Sequence, residues 1–142
     1  MLVHMLKSKL HRARVTDANV DYEGSLTIDR DLMDEVGILP YERILCTNAT
    51  TGTRFETYAI PGERGAGDII LNGAAAHLGE PGNRITIMSF TELDAADARS
   101  WKPRVIVLGE GNEIVARRQP LQSTAAIRNW SFESEGSPDD FH

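Results

Sequence analysis

Along most of the chain, short runs of alternating apolar and polar residues are broken every few positions by Gly, Pro or Asn. Strict alternation sends successive side chains to opposite faces, so these runs predict half-buried strands and the breaks predict turns. Residues 1–15 predict a long first strand of mixed polarity, and 19–25 a second extended stretch through Val20-Asp21-Tyr22 to Gly24. The period then changes. Asp29 is a good helix N-cap, Leu32, Met33 and Val36 share one face of a two-turn helix, and Gly37 stands where such a helix stops. Strands at 43–47 and 54–60 are joined across Thr51-Gly52, and 61–67 is a loop holding three glycines. A strand at 68–72, a short helical turn at 73–78, a turn at Pro81-Gly82 and a strand at 84–90 follow. The last apolar strand is 105–108, before the Glu110-Gly111-Asn112 turn. This spacing predicts an all-β domain, mainly strands with short helices, closed as a small barrel.

The pattern fades after residue 118. Residues 133–142 hold Glu133, Glu135, Asp139 and Asp140 without a Lys or Arg, so 1–118 is expected to be the folded domain and 119–142 a disordered acidic tail. With 142 residues and 41% hydrophobic content, one domain with a true core is expected, built from Ile, Leu, Val and Ala because aromatics are only 6%. The net charge of −6 argues against nucleic-acid binding, which needs clustered Lys and Arg. Lys7, Lys9 and His11 interrupt any signal-like run at the N-terminus, and no stretch is long and apolar enough to span a membrane, so a cytoplasmic protein is expected.

Several kinds of chemistry have no support here. Gly62 to Gly67 is glycine-rich but leads into a strand, whereas a dinucleotide fingerprint needs a helix N-terminus next. His4, His11, His77 and His142 lack metal-ligand spacing, and Cys46 is the single cysteine, so no metal is expected. No G-x-S-x-G elbow occurs, and no lysine stands in a context for pyridoxal phosphate. Amine chemistry would need a carbonyl made from the chain itself. Tyr22-Glu23-Gly24-Ser25 contains the material: a serine hydroxyl can attack the preceding carbonyl if the backbone is held in an unusual conformation, which glycine permits. Alone, a Gly-Ser pair predicts only a turn. The residues also fit a non-catalytic barrel that acts through a partner, a case that an intact Gly24–Ser25 bond would distinguish.

Other blocks occur in order around that pair: Met5-Leu6-Lys7-Ser8-Lys9-Leu10-His11-Arg12, Arg54-Phe55-Glu56-Thr57-Tyr58-Ala59-Ile60, Glu63-Arg64-Gly65 and Asn72-Gly73-Ala74-Ala75-Ala76-His77. Together, from about Met1 to about Asn112, they closely resemble the bacterial aspartate 1-decarboxylases. The resemblance implies a double-psi β-barrel and a homotetramer with active sites between subunits. It also implies self-cleavage between Gly24 and Ser25, spontaneous or aided by a maturation factor. Ser25 then becomes a pyruvoyl group that forms a Schiff base with L-aspartate and yields β-alanine and carbon dioxide for pantothenate synthesis. In this reading Tyr58 is the proton donor and Arg54 the carboxylate binder, whose planar fork suits that partner. Thr57 serves maturation and the substrate pocket. Asn72, Gly73, Ala74 and Ala75 line the substrate site, Lys9 and His11 are electrostatic partners, and Tyr22 shapes the cleavage loop. Pocket specificity for aspartate over glutamate is not fixed by these residues. Taken alone, Arg54, Glu56 and Tyr58 two residues apart predict a cross-strand Arg–Glu pair and a packed Tyr. Thr57, on the opposite side of an ideal strand from Tyr58, needs a local bulge or twist to join it.

Overall fold

The computed structural model describes residues 1–118, so the expected acidic tail at 119–142 lies outside the described residues. Among the described residues nine strands form one mixed sheet: β1 (Leu2–Arg14), β2 (Asp17–Asn19), β3 (Ser25–Asp29), β4 (Arg43–Asn48), β5 (Arg54–Gly62), β6 (Ile69–Asn72), β7 (Arg84–Asp94), β8 (Arg104–Leu108) and β9 (Ile114–Arg118). Two short helices, α1 (Arg30–Val36) and α2 (Ala95–Ala98), and two single 3-10 turns complete it. The strand order is β2-β6-β3-β5-β4-β7-β1-β8-β9. β1 lies between antiparallel β7 and parallel β8. β3 repeats that arrangement between antiparallel β6 and parallel β5. This recurrence of a mixed-neighbour strand fits the expected all-β barrel.

The core follows from alternation. Ile44 and Cys46 on β4, Ile85 and Ile87 on β7, Leu26 and Ile28 on β3, and Ile69 and Leu71 on β6 all point inward and are fully buried. Leu32, Met33 and Val36 of α1 add the helix face that the 3.6-residue period predicts. Among the described residues no aromatic is in the buried core, so the aliphatic core expected from composition is borne out. Each such side chain contributes about 1.5–3 kcal/mol on leaving water.

The helix signals also hold. Asp29 accepts from the Asp31 N–H at 2.8 Å, and Gly37 closes α1 with φ 78°. The Asp29 carboxylate does more than cap: it also accepts from the N–H groups of Gly65 at 3.1 Å and Gly67 at 2.9 Å. It thereby ties the end of β3 to the loop after β5.

Several elements differ from expectation, the three-residue β2 among them. Val20-Asp21-Tyr22 is a turn rather than extended, because the Asn19 Oδ1 accepts from the Asp21 N–H at 3.1 Å and starts a local turn. Pro61 and Gly62 belong to β5, held beside Ile28 and Asp29. α2 and β9 were not foreseen; β9 is an antiparallel neighbour of β8.

Candidate active site

The Gly24–Ser25 bond sits where the β2–β3 turn enters the sheet. Ser25 opens β3 opposite Asn72, the last residue of β6. Both are buried, at 1% and 3% exposure. Asn72 Nδ2 donates to Ser25 Oγ at 3.1 Å and to Thr27 Oγ1 at 2.9 Å. Ser25 Oγ–H in turn donates to the Glu23 carbonyl at 3.1 Å. The hydroxyl is thus gripped from one side and turned back along its own chain.

The glycine that the geometry requires is not Gly24. Gly24 lacks a positive φ, and a Cβ on it would meet nothing within 4 Å. Gly73 has φ 65°, and a Cβ there would lie 2.7 Å from Gly24 Cα, 2.8 Å from Gly24 N and 3.0 Å from the Tyr22 carbonyl oxygen. The unusual backbone expected at the cleavage pair lies across from it, on the residue packed against it. Asn72 and Gly73 therefore act as one seat, the first holding the serine hydroxyl and the second letting the backbones touch. Ala74 and Ala75 continue the 3-10 turn that starts at Gly73. Tyr22, in the turn itself, is half exposed.

β5 brings Tyr58 alongside. Tyr58 and Ser25 each immediately precede the parallel pair Leu26↔Ala59, so they stand level on neighbouring strands. The Tyr58 ring packs on Tyr41, with centroids 6.1 Å apart and planes at 35°. Glu56 pairs with Arg43 across β4 rather than with Arg54. The cross-strand Arg–Glu pair and packed tyrosine expected from the residues alone are both present, with Arg43 in the place of Arg54. Thr57 pairs with Ile44 in an unbroken register, so the expected bulge is absent and Thr57 faces away from Tyr58.

Arg54 begins β5, exposed, four residues before Tyr58 and so about 13 Å along the strand. It is level with Thr47, which is level with Thr86. Thr86 Oγ1 lies 3.5 Å from His11 Nδ1. Lys9 and His11 are buried in mid β1, level with Val105 and Val107 of β8 and separated from β3 by β7, β4 and β5. The chain therefore holds two groups: Gly24, Ser25, Asn72, Gly73 and Tyr58 together, and Arg54, Lys9 and His11 apart from them. A groove of about 370 Å³ opens beside Arg43 and Glu56, lined also by His4, Leu45 and Phe90, and does not reach Ser25.

Two participants were missed. Thr27 shares the Asn72 amide and was legible, since it lies two residues after Ser25 on one strand face. Tyr41 carried no such signal.

The sequence matches the family model described as aspartate decarboxylase over residues 1–115. It is 50% identical over 119 residues to the aspartate 1-decarboxylase of Pelotomaculum thermopropionicum, covering 84% of this chain and 90% of that one. The enzyme of the same name from Phenylobacterium zucineum is 52% identical over 114 residues, 80% of this chain and 97% of its own. That from Alcanivorax borkumensis is 53% identical over 110 residues, 78% and 87% respectively. With the seat around Ser25 in place and the family model matching residues 1–115, the chain belongs to the aspartate decarboxylase family.

Proposed function

We propose that this chain decarboxylates L-aspartate to β-alanine and carbon dioxide, using a pyruvoyl group made from Ser25 after the Gly24–Ser25 bond is cut. The observation that carries this reading is the buried seat: Asn72 Nδ2 on Ser25 Oγ, with Gly73 against Gly24. Attack of Oγ on the Gly24 carbonyl carbon, with its proton passing to the leaving nitrogen, exchanges the amide for an ester. Elimination across Cα–Cβ of residue 25 releases the Gly24 carboxylate. Water then converts the remaining dehydroalanine to pyruvoyl and ammonia. Ser25 must first leave the Glu23 carbonyl, and Asn72 is the partner that keeps the oxygen in place as it turns.

The residues fit the group. Asn72 offers a donor at residue 25, which suits a unit presenting carbonyl oxygens, so Asn72 would hold it. When formed, the group supplies a carbonyl that captures the substrate amine and accepts the electrons left by the departing carboxylate. Around it Tyr58 returns a proton to the former α-carbon. Gly73, Ala74 and Ala75 bring backbone N–H groups to the substrate, and Tyr22 shapes the loop that is cut. Thr57 serves maturation and the substrate pocket.

Arg54 binds the second substrate carboxylate, aided electrostatically by Lys9 and His11. Their separation from Ser25 within one chain supports a site shared between copies, in which a neighbouring subunit of a homotetramer supplies this cationic group to the seat. Membership of the family supports a cytoplasmic role in supplying β-alanine for pantothenate. Among the described residues, no helix is long and apolar enough to cross a membrane.

The test is product formation from L-aspartate, with L-glutamate in parallel. Aspartate is expected to give equimolar carbon dioxide and β-alanine, and Ser25→Ala to give neither. Arg54→Gln is expected to lower kcat/KM roughly ten- to a hundredfold, the value of a hydrogen bond to a charged group. Turnover by Ser25→Ala would sink the proposal.

A further inference from the structure

We propose that Tyr41 is a positioning residue for Tyr58, held in a strained turn so that its ring fixes the proton donor; this rests on the reading of Tyr58 as that donor. The turn is Leu39-Pro40-Tyr41-Glu42, closed by the Glu42 N–H donating to the Leu39 carbonyl at 3.1 Å. With Pro at the second position and φ 70° at Tyr41, it has the signature of a type II turn. The third position of such a turn is the ordinary place of Gly or Asn, because an L side chain there is strained. A tyrosine at that φ, 77% exposed as a residue, stabilises neither the turn nor the core. Local strain of this kind points to a use elsewhere.

The use is visible in what the ring touches. Tyr41 and Tyr58 meet with centroids 6.1 Å apart at a 35° tilt, within the range of favourable aromatic pairs. The turn that presents Tyr41 is stitched to the residue beside Tyr58. The Tyr41 N–H donates to the Ala59 carbonyl at 2.7 Å, and the Ala59 N–H donates to the Glu42 carbonyl at 3.0 Å. Glu42 is itself fixed, accepting from Lys7 Nζ at 2.8 Å and the Leu39 N–H at 2.9 Å. The Tyr41 ring therefore moves with the backbone that carries Tyr58. On the far side, Arg43 stands level with Tyr58 and is held by Glu56. Tyr58 therefore lies between Arg43 on β4 and Ser25 on β3, each level with it.

The experiment compares Tyr41→Gly, Tyr41→Phe, Tyr58→Phe and the Tyr41→Gly/Tyr58→Phe pair, each as fully cleaved enzyme. Tyr41→Gly suits the turn, so its thermal midpoint is expected to equal or exceed the wild type. Its kcat is expected to fall about two- to tenfold, the worth of an aromatic pair, with KM little changed. Tyr41→Phe keeps wild-type kcat. In deuterium oxide the wild type deuterates one face of the former α-carbon, and Tyr41→Gly loosens that preference. In the Tyr58→Phe background, Tyr41→Gly adds no further loss. Wild-type kcat in Tyr41→Gly, alongside an impaired Tyr58→Phe, overturns the inference alone. A lowered midpoint with the same fractional loss in both backgrounds also overturns it, by making Tyr41 merely structural. An unimpaired Tyr58→Phe overturns the donor assignment and the inference with it.

Discussion

Cys46 lies fully buried on β4 between Ile87 and Phe55, and that burial pushes its thiol up from an ordinary 9.0 to about 12. The charged form is disfavoured in the fold, so the group's contribution to stability is complete below 9.0 and lost as pH rises from there toward 12. Native protein at pH 8 is therefore expected to react with a disulfide reagent only as fast as it unfolds, while the denatured chain reacts at once. Immediate labelling of native protein would contradict this placement. At the same scale, the site shows where single residues were legible. Ser25 and Asn72 stand hydrogen-bonded as their proposed roles require. The need for glycine was read at the wrong member of the pair. Sequence order makes Gly24 conspicuous beside Ser25, whereas the crowding falls on Gly73, 49 positions further along, through an antiparallel register that spacing alone does not reveal.

Among the elements, the 3-10 turn at Gly73–His77 bears most directly on processing. A Gly73→Ala substitution would set a methyl 2.7 Å from Gly24 Cα while forcing alanine to φ 65°. The three nearest atoms, two on Gly24 and one on Tyr22, are all backbone, so the cleavage pair must shift. Cleavage is expected to slow roughly tenfold or more, followed by the ratio of cut to uncut chain on a denaturing gel over time. Wild-type cleavage by Gly73→Ala would show that the close approach has no part in maturation. Strand positions were well legible wherever one face was buried, as in β4, β5 and β7, because alternation records burial directly. β2 escaped because three residues are too few to alternate, and β9 because its inner residues are only half buried. The 19–25 stretch reads as extended through Val20-Asp21-Tyr22, and the Asn19 side chain overrides that pattern by starting a turn.

At the scale of the whole molecule, the aliphatic core and all-β class followed from composition and period, while the barrel's mixed strand order did not. Parallel neighbours such as β1 and β8 are joined through most of the chain, and nothing local encodes that pairing. The same distance hides the division of the site. Arg54, Lys9 and His11 share no neighbourhood with Ser25 in one chain, which is the arrangement expected if a second copy completes the centre. The claim on which all else depends is that Ser25 is converted by cleavage into the reactive carbonyl. It is tested most directly by a denaturing mass spectrum of purified protein, taken with and without L-aspartate and cyanoborohydride. The account predicts two chains, residues 1–24 and residues 25–142, the larger blocked at its N-terminus and carrying a reduced substrate-derived adduct only when aspartate is present. A single full-length mass that persists on prolonged warming would contradict self-processing, and a full-length chain that still turned over aspartate would contradict the pyruvoyl account altogether.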